Sequence, residues 1–141
     1  MQTAAHTPLR ILVAEDNALI GMLLADMLAA LGHDVCAVEA TELGTVASAM
    51  RYRPDLVIAD GSLRGGSGVT AVEAILQCHN IAYIFVTGDN AAIRLRMPEA
   101  VILAKPFNEA GLEAAIRTVM YHNGSRPVCP ARVASRPSAQ S

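Results

Sequence analysis

Five residues carry the chemistry this sequence could perform: the carboxylates Glu15, Asp16 and Asp60, the hydroxyl of Thr87 and the ammonium of Lys105. Each ends or follows a short apolar run, at residues 10–14, 56–59, 82–86 and 101–104. Three carboxylates held close together repel one another unless a cation lies between them. Mg²⁺ is the natural cation for such a cluster, because it prefers oxygen ligands, keeps several waters and commonly binds one or two carboxylates plus phosphate oxygens. On this reading Asp16 and Asp60 ligate the metal, directly or through water, Glu15 holds metal-bound water, and the backbone carbonyl of Ser62 completes the protein's share. Asp60 keeps one oxygen free as a nucleophile that would form an acyl phosphate, while Lys105 and the Thr87 hydroxyl each take a phosphoryl oxygen. A lysine suits that place because its ammonium is a compact point charge.

The apolar runs are too short for helices and read as buried strands. Between them the pattern turns helical. Asn17 caps a helix in which Ile20, Leu23, Leu24, Met27, Leu28 and Leu31 form a core stripe, and Gly32 ends it. Residues 34–38 read as the second strand and 41–52 as a helix stopped before Pro54. The glycine-rich stretch 61–68 reads as a flexible loop over the site, 69–79 and 109–121 as helices, and 90–97 as a short helix ended by Pro98 and expected to be mobile. Five strand–helix units with wholly apolar strands imply an α/β fold, a doubly wound (βα)5 arrangement with a five-stranded parallel sheet covered on both faces. Ligands of such sheets bind beyond the carboxyl ends of the strands, where strand order reverses, so the polar residues at those ends share one crevice.

Bulk properties narrow the choice further. A chain of 141 residues with 52% apolar and 17% charged residues suits one globular domain. A net charge of −2, two Phe and three Tyr offer neither a basic face nor stacking platforms for nucleic acid. Cys36, Cys78 and Cys129 are odd in number, widely separated and form no CxxC pair, so they suggest neither a zinc site nor a disulfide framework and fit a reducing cytoplasm. Neither an export signal nor a membrane span is evident. The four histidines read as surface residues. Residues 1–8 are expected to be disordered, 9–122 to form the domain, and 123–141, with Arg126, Arg132 and Arg136, to be a disordered basic tail.

The Glu15-Asp16 pair, Asp60, Thr87-Gly88 and Lys105-Pro106-Phe107 resemble, in kind and order, the receiver domain of two-component response regulators, the CheY-like superfamily. The match runs from Leu9 to Tyr121. The resemblance implies the flavodoxin-like strand order 2-1-3-4-5, and a cis Lys105–Pro106 bond that aims the lysine into the site. It implies a switch rather than an enzyme, phosphorylated on Asp60 with Mg²⁺ by a sensor histidine kinase or phosphotransfer protein. With no output domain after Tyr121, a monomer or weak dimer would act through an unknown downstream protein.

Receivers usually carry Tyr or Phe three residues before the lysine, where this chain has Ile102, so the usual threonine–aromatic coupling is not available. Ile102, the stretch Ile84-Phe85-Val86-Thr87-Gly88 and Leu63-Arg64-Gly65-Gly66 look like the atypical FAT GUY subgroup, which implies a kinase of the HWE or a related class. Asp89 departs from the bulky residue that subgroup carries. Ser62 and Asp89 occupy positions that in receivers set the lifetime of the acyl phosphate, and with Gly88, Ile102 and Pro106 they are the expected modulators. Two alternatives remain: a Mg²⁺-dependent phosphohydrolase, which would need a second aspartate where Ser62 stands, and a phosphate-independent interaction module. An FMN carrier fits the topology but lacks a phosphate loop after the first strand.

Overall fold

The apolar runs all lie in strands of one sheet in the computed structural model, which describes residues 7–125, with side chains through residue 121. In chain order the elements are β1 (Arg10–Ala14), α1 (Ala18–Ala30), β2 (Asp34–Glu39), α2 (Glu42–Tyr52), β3 (Leu56–Asp60), β4 (Ser62–Leu63), β5 (Gly66–Ser67), α3 (Gly68–Leu76), β6 (Ala82–Thr87), α4 (Asn90–Arg96), β7 (Val101–Ala104) and α5 (Glu109–Ser125). The parallel sheet has the order β2-β1-β3-β6-β7. With the small β4–β5 hairpin set aside, that is the expected 2-1-3-4-5. The direction of winding reverses between β1 and β3, and the crevice at their carboxyl ends receives Glu15, Asp16 and Asp60.

Side-chain alternation divides the core between the two faces of the sheet. Ile11, Val13, Leu56, Ile58, Ile84 and Val86 pack under α1 and α5, against Leu24, Leu28, Leu112 and Ile116. Leu12, Ala14, Val57, Ala59 and Phe85 pack on the other face, against Ala49, Val69, Val72, Ile75 and Ile93 of α2, α3 and α4. Both sets are apolar because helices cover both faces, which is why the strands read as unbroken hydrophobic runs.

The caps of α1 follow from its sequence. The Asn17 side chain accepts hydrogen bonds from the backbone N–H groups of Leu19 and Ile20. Gly32 takes φ 94°, His33 N–H donates to the Leu28 carbonyl and Gly32 N–H to the Ala29 carbonyl, a Schellman ending that needs the glycine.

Several expectations need correction. Leu23 is 50% exposed, together with Leu19 and Met22, so the stripe read from spacing is centred instead on buried Leu24 and Leu28. The reason is position: α1 lies over β1 and the edge strand β2, and one flank of the helix overhangs the sheet edge. His33 is buried rather than a surface residue, and its Nδ1 accepts from the Leu9 N–H at 3.0 Å. That donor precedes β1 and would otherwise lack a partner. The helix expected over 69–79 ends at Leu76, where the Cys78 and His79 N–H groups close on the Ile75 carbonyl. α5 continues to Ser125, into the segment expected to be disordered, while residues 1–6 and 126–141 lie outside the described residues.

α4 spans seven residues, has no side-chain N-cap and buries only Ile93. Its arginines tie it down: Arg96 pairs with Glu73 of α3, and Arg94 donates to the carbonyls of Pro98 and Ala100. So short a helix is held by tertiary contacts rather than by its own hydrogen bonds. Native-state hydrogen exchange is expected to show α4 amides opening well before those of α5, and equal protection in the two helices would contradict this.

Candidate functional site

Asp60 closes β3, where it pairs with Val86 of β6, and Glu15 and Asp16 follow β1 on the adjacent strand. One carboxylate oxygen from each of Glu15, Asp16 and Asp60 lies within 4.8 Å of the others. Lys105, just past β7, reaches across with Nζ 2.8 Å from Asp60 Oδ2 and 3.6 Å from Glu15 Oε1. The other oxygen of Asp60 accepts the Ser62 N–H at 3.1 Å. Glu15 is 3% exposed; its Oε2 accepts the Asn17 N–H, but Oε1 is buried without a hydrogen-bond partner.

Burial raises the pKa of Glu15 above its ordinary value, and the Asp60 charge adds to that, against the Asn17 hydrogen bond and the Lys105 charge. For Lys105 burial acts downward, yet the hydrogen bond and charge of Asp60, helped by Glu15, outweigh it and raise its pKa, so the ammonium persists at neutral pH. A buried carboxylate oxygen with no hydrogen bond, met only by the Lys105 ammonium at 3.6 Å and set in a group of three hard oxygen donors, fits a small divalent cation that retains water. The Mg²⁺ implied by the resemblance therefore suits Glu15, Asp16 and Asp60.

The stretch expected to be a flexible loop is an ordered hairpin. Ser62 pairs with Ser67 and Leu63 with Gly66 in antiparallel register, and Gly65 turns the chain at φ 76°, a conformation glycine adopts without a Cβ clash. Leu63 is buried, and the β2–α2 connection with the first residue of α2 pins the hairpin from outside: Arg64 N–H donates to the Ala40 carbonyl, Glu42 N–H to the Arg64 carbonyl, and Ser67 N–H to Glu42 Oε1. The alternation Ser62–Leu63 before a two-residue turn ending in glycine is the sequence signal that would have revealed it. Gly68 closes the motif, donating its N–H to the Gly61 carbonyl at 3.0 Å. A Cβ at Gly68 would overlap the carbonyl oxygen of Asp60. The peptide that carries Asp60 is thus set by a contact only glycine permits.

Thr87 is one step along β6 from the partner of Asp60, but its hydroxyl is engaged in its own loop, accepting from Asp89 N–H at 3.0 Å and donating to the Asp89 carbonyl at 3.4 Å. Gly88 and Asp89 are exposed beside it. Ile102 pairs with Phe85 and packs, partly buried, in the cluster with Ile93 and Ala100, so no aromatic ring stands there to rotate. The Lys105–Pro106 peptide is cis, as the resemblance implies. Ile93 carried no mark in the sequence, and Arg64 only its place in the Leu63-Arg64-Gly65-Gly66 stretch, with no role attached to it. Ile93 reaches to within 3.1 Å of where a Cβ on Gly61 would lie, next to the Thr87 hydroxyl, and Arg64 sits beside Asp16.

With this geometry in hand, the comparisons with known proteins agree with it. The family model of the response regulator receiver domain matches residues 11–117. The phyllosphere-induced regulator PhyR of Methylorubrum extorquens is 34% identical over 128 residues, which cover 88% of this chain and 48% of the relative. The transcriptional regulatory protein PdtaR of Mycobacterium tuberculosis is 33% identical over 116 residues, covering 79% of this chain and 57% of that protein. The chain therefore spans about half the length of these curated relatives. The solution structure of the Erythrobacter litoralis PhyR receiver domain superposes with a TM-score of 0.75 at 31% identity, covering 89% of this chain and 99% of that one.

Proposed function

Since this chain belongs to the response regulator receiver domain family of two-component signalling, we propose that Asp60 is its phosphoacceptor and that phosphorylation switches its contacts with a partner protein. The observation that carries this reading is the Lys105–Asp60 contact at 2.8 Å beside the three-carboxylate cluster. A lysine bonded to the candidate nucleophile is placed to follow charge onto a phosphoryl group attached there, and phosphoryl transfer asks a protein for alignment and charge neutralisation more than for covalent chemistry. Mg²⁺, held by Glu15, Asp16 and Asp60 with the Ser62 carbonyl, would supply neutralisation of the equatorial oxygens.

The chain's own residues do the rest. Ser62 N–H and Lys105 orient the Asp60 carboxylate, and Lys105 exchanges part of its contact with Asp60 for a phosphoryl oxygen. The Thr87 hydroxyl leaves Asp89 to bind another phosphoryl oxygen. That exchange frees the Asp89 backbone and alters the seat of Ile93, so α4 is the element the switch moves. Ser62, Gly88 and Asp89 line the approach of hydrolytic water, and Ile102 and Pro106 shape the β7 side. The upstream donor is a sensor histidine kinase, of the HWE or a related class, or a phosphotransfer protein. The chemistry is confined to this chain's own aspartate, which makes it a switch rather than a turnover enzyme.

The test is incubation with acetyl phosphate, with and without Mg²⁺, followed by intact mass and mapping of the modified peptide. A Mg²⁺-dependent gain of one phosphoryl group on Asp60 is expected. No gain in Mg²⁺, or a gain elsewhere, would refute the reading.

A further inference from the structure

One cation beside the acids has no part in that chemistry. A groove of about 420 Å³ runs from the acid pair between α1, the β2 edge and the β4–β5 hairpin, lined among others by Glu15, Asp16, Met22, Asp26, Val38 and Arg64. Arg64 is the sole cation among its lining residues, against three carboxylates. Its side chain is exposed, but the backbone that carries it is held in place. Its backbone bridges to Thr41 and bonds to Ala40 and Glu42 in both directions, and its Nη2 donates to the Asp16 carbonyl at 3.4 Å. Lys105, the other cation near the acids, is engaged with Asp60 and Glu15. On the groove side, Arg64 alone can meet an incoming anion.

We propose that Arg64 is a specificity-determining residue that binds the acyl oxygen of a small acyl-phosphate donor entering through this groove and holds the carboxylate that leaves; the inference rests on the phosphoacceptor role of Asp60. The groove has room for such a molecule, and a guanidinium's planar fork, which can donate to the acyl oxygen of the donor, matches the carboxylate formed as the donor departs. In the transfer, the bond from an Asp60 oxygen to phosphorus forms as the donor's phosphorus–oxygen bond breaks. The carboxylate leaves with the electron pair, and no proton or net charge is gained or lost. The leaving oxygen becomes more negative along this path, so a cation beside it acts where charge develops. A donor whose leaving group departs uncharged, such as phosphoramidate releasing ammonia, draws no such benefit.

The experiment compares acetyl phosphate with phosphoramidate, both with Mg²⁺, following phosphorylation by intact mass for wild type, Arg64→Ala and Arg64→Lys. One charge-assisted hydrogen bond at an exposed position corresponds to a rate ratio, acetyl phosphate over phosphoramidate, lower by about tenfold in Arg64→Ala. Arg64→Lys, which keeps the charge and loses the fork, is expected to recover part of it. The backbone bonds of Arg64 survive both substitutions, and unchanged melting temperatures would verify the hairpin. An unchanged ratio, including equal slowing with both donors, would overturn the proposal. No phosphorylation of wild type by either donor would instead overturn the phosphoacceptor reading, and this inference with it.

Discussion

Lys105→Met is expected to slow phosphorylation of Asp60 by about 10²–10³-fold, the usual cost of removing one aligned donor to a developing charge. Asp60→Asn serves as the zero, with no phosphoryl gain at any time. The methionine keeps the length and apolar stem of the lysine, so the change is chiefly the lost ammonium at 2.8 Å from Asp60 and 3.6 Å from Glu15. The same substitution has a pH signature in metal-free protein. Glu15 holds its proton more tightly folded than unfolded, since its pKa is raised from 4.5 by burial and then by Asp60. The folded state then binds more protons than the unfolded one across that window, and stability falls as pH climbs from the ordinary value through the raised one. Removing Lys105 raises the Glu15 pKa further and deepens the fall, whereas well below pH 4.5, where Glu15 is protonated in both states, the variant differs less from wild type. Melting temperatures across pH, with a phosphorylation time course at neutral pH, check both. A wild-type rate in Lys105→Met would remove the lysine from the chemistry.

Gly68→Ala carries the second large effect, and two opposing terms decide its sign. Gly68 opens α3 without a positive φ, so alanine would gain about 1 kcal/mol from lower backbone entropy in the unfolded chain and better helix propensity. Against this, the new Cβ overlaps the Asp60 carbonyl oxygen and crowds the Ala59 side chain. A backbone oxygen at the end of a central strand has no rotamer by which to step aside, so the end of β3 or α3 must shift. Overpacking typically costs about 1–3 kcal/mol, and a clash with backbone belongs at the upper end or beyond. A net loss of about 2 kcal/mol is expected, with slower phosphorylation, because the displaced peptide carries the nucleophile. Gly65→Ala is the control: it is strained at φ 76° but has open space around it, and stands at the hairpin tip. It is expected to cost about 1 kcal/mol while leaving phosphorylation near wild type. Calorimetry and the acetyl phosphate assay report both variants. A Gly68→Ala protein as stable as wild type would sink the argument.

Much of this was legible in the chain because it is local. A strand buried on both faces has to be apolar throughout, so 10–14, 56–59, 82–86 and 101–104 showed themselves as runs, and polar residues at their ends showed where the crevice opens. The caps at Asn17 and Gly32 are likewise written in neighbouring residues. The order and kind of Glu15, Asp16, Asp60, Thr87 and Lys105 belong to the same class of information.

What the sequence did not contain was set by residues far apart in the chain. The hairpin at 62–67 had a local turn signal, but the bonds that hold it in place come from Glu42 and Ala40, about 25 residues upstream. His33 gave no sign of burial because its partner, the Leu9 N–H, lies across the β1–β2 end of the sheet. Leu23 looked like core because helical spacing defines a stripe but not how much of it overhangs a sheet edge. The same holds at the site: spacing supplied the three acids and the lysine, while the buried Glu15 oxygen without a hydrogen bond, the Thr87 hydroxyl turned to its own loop and the Arg64 guanidinium beside Asp16 exist only once the strands are paired. The sequence determined which groups reach the crevice, through strand ends and local caps; tertiary structure alone decided which of them touch, because contact depends on register and crossing geometry that no single segment encodes.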